Sequence, residues 1–519
     1  MTPRPIRLLR SFVTVGGWTM ASRVLGFLRD ICMANVVGAG PLAEAFFVAF
    51  RLPNMFRRFF AEGAFNMAFV PMFTKKLETE GPDAARRFGS EALSGLAAIL
   101  ILLTLLAQLA MPWLILGLAS GYAGDSRLDM AVDFSRIVFP YILFISLAAL
   151  FSGILNAYGR FAAAAAAPVL LNVIWIGALG LIWATGLDVG QTLSWAIFVA
   201  GLAQLALVWT AARRLGMGLS IGWPRLTSDV RRLITIGIPA ALAGGVMQIN
   251  ILVGTQVASH FEGAVGWLWY ADRIYQLPLG VVGIAIGVVL LPELTRRFRA
   301  GDAEGTAAAM NRAGEFSLIL TLPATVALIV IPGVLVSALF EHGAFTADDT
   351  RATALALAVY AIGLPAFVLQ KVLQPAFFAR EDTRTPLRYA VVSMIVNVVL
   401  AVGLAPWLGF LAAAVGTSLA GLVNLVLLWR GVKRLDASIT LAPRLAKRLP
   451  RMVLAALGMG AAVLGLAYGL EQILPGWRVL HLVILVFGGM AAYGILGSLF
   501  SAFNISEIRQ MMRRQKPSA

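Results

Sequence analysis

The chain has 519 residues, of which 59% are hydrophobic and only 13% charged, whereas a soluble protein carries roughly 25% charged residues. Its net charge of +16 is not gathered on any soluble stretch long enough to form a nucleic-acid-binding domain, which excludes that class. The single cysteine, Cys32, excludes an intrachain disulfide and a cysteine-rich zinc site.

The first residues carry Arg4, Arg7 and Arg10, like the basic start of a secretory signal. The apolar run behind them meets Arg23 and Arg29 and offers no convincing cleavage site, so a retained first span is predicted. Windows long and apolar enough to cross a bilayer follow at about 11–38, 43–73, 90–118, 129–158, 163–187, 190–212 and 233–260. They continue at about 265–294, 313–340, 350–378, 387–408, 410–430, 452–472 and 479–502, fourteen in all. The fold class expected is therefore an all-α integral membrane protein.

The basic residues test that count. With the N-terminus in the cytoplasm, inside segments hold 31 of the 42 Lys and Arg, outside loops hold only Arg127, Arg351 and Arg478, and 8 lie within spans. This asymmetry is what the positive-inside rule requires of fourteen spans with both termini inside. Phe139-Pro140 and Asn172-Val173 recur as Leu364-Pro365 and Asn397-Val398 at an offset of 225 residues. Leu52-Pro53 and Leu277-Pro278 keep that offset, so Pro53, Pro71, Pro278 and Pro292 are expected to kink spans 2 and 8 at matching points. Two pseudo-symmetric six-helix lobes around a central cavity are predicted, 1–215 and 216–435, with two extra helices and a basic tail in 436–519.

The stretch from Ser22 to Phe73 is apolar yet carries Arg23, Arg29, Asp30, Glu44, Arg51, Arg57, Arg58 and Glu62. Charge inside a membrane is expensive and marks a pathway or a partner. Counted by helical rise from the cytoplasmic ends, Arg23 lies about 18 Å deep, Arg29 about 27 Å, Arg57 about 25 Å and Arg273 about 31 Å. Four guanidinium groups in one layer suit a diphosphate, which their planar forks can grip at several oxygens. Asp30, seven residues from Arg23, is expected to orient or neutralise it. Pairing with Asp30, Glu44, Glu62 and Asp272 is the competing explanation for the arginines. Lys371, the lone deep cation of span 10, is either a second ligand contact or a carbonyl-paired residue. Asn172, Gln248, Asn250, Asn397 and Asn424 are read as interhelical hydrogen-bonding groups, and Gly283 with Gly287 as a helix-packing pair. No Walker A loop, HExxH or DDxxD cluster is present, so no catalytic residue and no metal site are assigned.

The segments SRVLGFLRD (22–30), AFFVAFRLPNMFRRFFAEGAFNMAFVP (45–71), ILNAYGRF (154–161) and WYADRIYQLPLGVVGIAIGVVLLPEL (269–294) closely resemble the MurJ (MviN) lipid II flippase family of the multidrug/oligosaccharidyl-lipid/polysaccharide exporter superfamily. The resemblance implies a transporter rather than an enzyme. It would move undecaprenyl-diphosphate-linked peptidoglycan precursor from the cytoplasmic to the periplasmic leaflet of the bacterial inner membrane by alternating access. It also implies that Arg23, Arg29, Arg57 and Arg273 bind the diphosphate, and the charges around them assign Asp30, Glu44, Glu62, Asp272 and Lys371 as supporting residues. Membrane lipids and the cell-wall synthesis machinery are the partners it implies. Some relatives bind sodium through carboxylates, yet residues 233–260 and 387–430 contain no Asp or Glu. A weak sodium site leaves the membrane potential or another ion gradient as the expected driving force, with no cofactor. The alternative within the superfamily is an exporter of another polyprenyl-linked oligosaccharide or of drugs.

Overall fold

The computed structural model describes the backbone of residues 8–57, 64–435, 440 and 442–503. Every regular element among them is helical. The first compact unit, 1–266, holds α1 (Leu8–Val37), α2 (Pro41–Arg57), α3 (Ala64–Thr79), α4 (Pro82–Leu118), α5 (Ser126–Val138), α6 (Tyr141–Ala157), α7 (Phe161–Thr185), α8 (Val189–Arg214) and α9 (Ser228–Ser259). The second, 267–519, holds nearly all of α10 (Ala264–Arg299), then α11 (Ala303–Val330), α12 (Pro332–Phe340), α13 (Ala347–Phe378), α14 (Arg384–Leu408), α15 (Leu411–Leu435), α16 (Pro443–Ile473) and α17 (Arg478–Leu499).

Among the described residues, each apolar window of the sequence is occupied by helix. Ten helical stretches among the described residues are long and apolar enough to cross a membrane, α5 and α6 together forming one of them. Windows 4 and 9 are each divided: Pro140 ends a turn between α5 and α6, and Pro332 opens α12 after Ile331. Pro53, Pro71, Pro278 and Pro292 lie instead inside helices. Proline inside a membrane-type helix is tolerated where the freed carbonyl finds another partner.

The internal repeat is visible in the element boundaries. α4, α5, α7 and α8 start at 82, 126, 161 and 189, and α11, α13, α14 and α15 start at 303, 347, 384 and 411, an offset of 221 to 223. Left-handed glycines recur with them: Gly81 with Gly301, Gly124 with Gly343, and Gly186 with Gly409. Packing repeats as well, since α8 lies on α6 and α7 in the first unit as α15 lies on α13 and α14 in the second. α16 and α17 have no counterpart. They pack on α11 and α12 through Met452, Ala455, Met459 and Leu485, all almost wholly buried.

At one end of the first unit the turn Ser120–Tyr122 is pressed against the end of α9. A methyl group added at Gly121 would collide with the backbone of Ser259 and His260. Backbone cannot yield as a side chain can, so Gly121→Ala is expected to cost about 1–3 kcal/mol. A lowered unfolding temperature in detergent measures it, with Gly124→Asn, at a left-handed position open to solvent, as the milder comparison.

Candidate functional site

The deep charges of α1 are held from α7. Arg29 is buried; its Nε and Nη2 donate to Asp30 Oδ1 at 3.1 and 2.7 Å, and its Nη1 donates to Asn172 Oδ1 at 3.1 Å. The guanidinium also lies 4.4 Å from the ring centroid of Trp175, whose edge meets Phe46 and Phe50 of α2. Asn172 in turn donates to the Ser22 carbonyl at 3.0 Å, with Gly26 of α1 facing its amide. One asparagine thus ties two helices and aims an arginine. Asp30 therefore closes on the adjacent Arg29 and not on Arg23, correcting the i, i+7 expectation. Arg23 is exposed and pairs with no described residue.

Glu44 is fully buried in the first turn of α2 and ion-paired to Arg127 of α5 at 2.9 Å. Its other carboxylate oxygen accepts from the Val265 amide at 3.0 Å. Arg127 also donates to Asp125 at 2.6 Å and stacks 4.5 Å from the Tyr122 ring. This cluster joins α2, α5 and the start of α10 within the first unit. In sequence Arg127 stands out only as one of three basic residues in outside loops. The clue to its role was that exception, set between Asp125 and Asp129. Arg51 bonds Thr255 of α9, and half-buried Arg57 donates to Asn54 Oδ1 at 3.1 Å. Arg58 and Glu62 lie outside the described residues.

In the second unit Arg273 stacks 4.4 Å from the Trp269 centroid, one turn earlier on α10. Asp272 accepts from Gln276. The Lys371 side chain lies across Gly283, where a methyl group would strike its Nζ, so this glycine lets α13 lay its cation on α10. Of the expected interhelical amides, Asn424 donates to Gln370 at 2.9 Å and Gln370 to the Gly421 carbonyl at 2.8 Å, joining α13 to α15. Arg23, Arg29, Arg57, Asp30 and Glu44 thus belong to the first unit, and Arg273, Asp272 and Lys371 to the second.

The family model for lipid II flippase MurJ matches residues 33–488. The chain belongs to that family. It is 47% identical over 522 residues to the probable lipid II flippase MurJ of Rhizobium meliloti (strain 1021), covering 98% of this chain and 96% of that relative. The lipid II flippase MurJ of Burkholderia cenocepacia is 35% identical, with 83% of this chain and 84% of the relative covered. A solved lipid II flippase MurJ in an inward closed conformation superposes with a TM-score of 0.79 at 26% identity, over 94% of this chain and 98% of that one. An inward-facing multidrug resistance MATE transporter of the MOP superfamily shares the fold, with a TM-score of 0.67 at 14% identity and 83% and 99% coverage. The chain is accordingly a multi-pass protein of a bacterial transporter family.

Two measurements follow from this geometry. Asp30→Ala leaves the buried Arg29 without its counter-charge and is expected to cost about 3–5 kcal/mol of stability. Asn172→Ala removes one neutral partner and should cost about 1–3 kcal/mol, so unfolding in detergent ranks Asp30→Ala below Asn172→Ala. Outside the spans, the Arg127 amide and then its guanidinium hold the Asp125 carboxyl below the usual carboxylate range. A depressed carboxylate stabilises the fold above its unfolded value near pH 3.9 and loses that contribution as pH falls through the lower folded value. Asp125→Asn should therefore be less stable than the parent at pH 6, with the gap closing as pH falls below about 4.

Proposed function

We propose that this chain flips lipid II, the undecaprenyl-diphosphate-linked peptidoglycan precursor, from the cytoplasmic to the periplasmic leaflet. The observation that carries the reading is the state of α1. Arg29 is buried and compensated by one carboxylate, while Arg23, one and a half turns earlier, stands exposed with no described partner. The helix thus holds one guanidinium fixed and leaves a positive charge for an anionic headgroup. A diphosphate is recognised by such forks, and Arg57 and Arg273 complete the set in this proposal. Asp30 would set the geometry of Arg29, while Glu44 holds α2 in place through Arg127. Asp272, Glu62 and Lys371 are given the same supporting role.

In this reading fourteen spans form two six-helix lobes, with α16 and α17 added and both termini in the cytoplasm. The repeat of helix boundaries and the distribution of 31 basic residues inside against 3 outside support it. The lobes alternate in exposing the site to either leaflet. One elementary charge crossing 100 mV is worth about 2.3 kcal/mol, enough to bias such a step, so the membrane potential or an ion gradient is the proposed driving force. Components of the cell-wall synthesis machinery are the proposed partners.

The test is growth of a strain depleted of its own lipid II flippase. Arg29→Ala should fail to sustain it, and loss of one charge-assisted contact worth about 1.5–3 kcal/mol should slow flipping by roughly 10–150-fold. The double variant Arg29→Ala/Asp30→Ala removes both members of the buried pair, so it should restore stability and protein level without restoring growth. If Arg23→Ala, Arg29→Ala and Arg273→Ala all support growth, the diphosphate clamp is wrong.

A further inference from the structure

Between α8 and α9 the chain does not loop freely. It runs extended along the first turns of α4. The Ser220 amide donates to Ser90 Oγ at 3.2 Å, the Gly222 amide donates to Ser94 Oγ at 3.0 Å, and the Thr227 hydroxyl donates to Glu91 at 2.8 Å. The registers match: two residues of extended chain span about 6.6 Å. Four residues of helix rise about 6.0 Å. Met217 is buried, and Leu219 sits over Gly89. The strap is therefore a fixed structure with an inner and an outer side.

Its outer side is apolar. Ile221, Trp223 and Leu226 are 71%, 87% and 70% exposed. A soluble surface does not hold three large apolar side chains rigidly in water without a purpose. Their depth is set by α4: the outward stripe Ile99, Leu102, Leu106 and Leu109 begins five residues after Ser94, about 7.5 Å further along the axis. The strap is thus pinned at the rim of the apolar band. Around it stand the exposed Arg213, Arg214, Arg225, Arg231 and Arg232, with Asp229 the one acid between 213 and 232. Asp229 is already paired to Lys76 at 2.9 Å.

We propose that the strap is an interfacial anchor. Ile221, Trp223 and Leu226 insert into the headgroup and acyl boundary of the arginine-rich leaflet, and Arg225 with its neighbours binds the phosphates of anionic phospholipids. Tryptophan prefers that boundary because its ring is apolar and its N–H is not, while basic residues beside it are drawn to the anionic surface. The anchor fixes the membrane depth of α4, and through it the first unit, independently of the transported substrate.

Spin labelling tests this on the full chain. With Cys32→Ser as background, a nitroxide is placed at Ile221→Cys and, as an aqueous reference two turns down α4, at Arg87→Cys. The protein is reconstituted in phosphatidylcholine vesicles with or without phosphatidylglycerol. Relaxation by oxygen relative to a water-soluble nickel chelate should be several-fold higher at 221 than at 87. It should rise further with phosphatidylglycerol, and less so when Arg225→Gln is added. Trp223→Ser should move the label at 221 toward the aqueous value with the unfolding temperature unchanged. Accessibility at 221 equal to that at 87 overturns the proposal, and so does shielding from both relaxers, which would mean a protein partner covers the strap.

Discussion

An ionised side chain away from water must be matched, and the first unit is arranged around two such matches. Arg29 with Asp30 fastens α1 to α7 through Asn172, and Arg127 with Glu44 fastens α5 to α2 and to the start of α10. Breaking either pair leaves a buried charge alone, at a cost far larger than the net worth of the pair itself. These contacts therefore specify arrangement more than they add stability. A hydrophobic replacement of equal volume would hold the helices together, but it would not fix where a guanidinium points.

The windows, the uneven loops and the family motifs were legible because they depend on composition and order alone. Apolar length and the bias of Lys and Arg survive whatever the neighbours do. The pairing of Asp30 was not legible. On an isolated helix Arg23 and Asp30 share a face, but seven residues separate them by about 10.5 Å of rise. What decides the pairing is α7, more than 140 residues away, whose Asn172 and Trp175 take the other sides of the Arg29 guanidinium. Asn172 could be read as an interhelical donor, and it is one. That its side-chain oxygen also positions Arg29 depends on how α1 and α7 pack. Helix breaks were illegible for a similar reason. Pro140 and Pro332 sit at interruptions whereas Pro53, Pro71 and Pro278 lie within helices, and a proline's missing amide does not by itself decide which.

The two halves of the internal repeat share a frame and differ in charge. Helix boundaries and left-handed glycines recur at nearly one offset, yet α1 carries Arg23, Arg29 and Asp30 while its counterpart α9 has no charged residue from 233 to 259. α2 opens on a buried ion pair, whereas the corresponding start of α10 contributes a backbone amide to that same pair. Duplication supplies the frame, and the guanidinium groups are placed unevenly on it. A cation in a low-dielectric setting is least expensive to keep where it is matched, and Arg29 is matched by Asp30, Asn172 and the Trp175 ring.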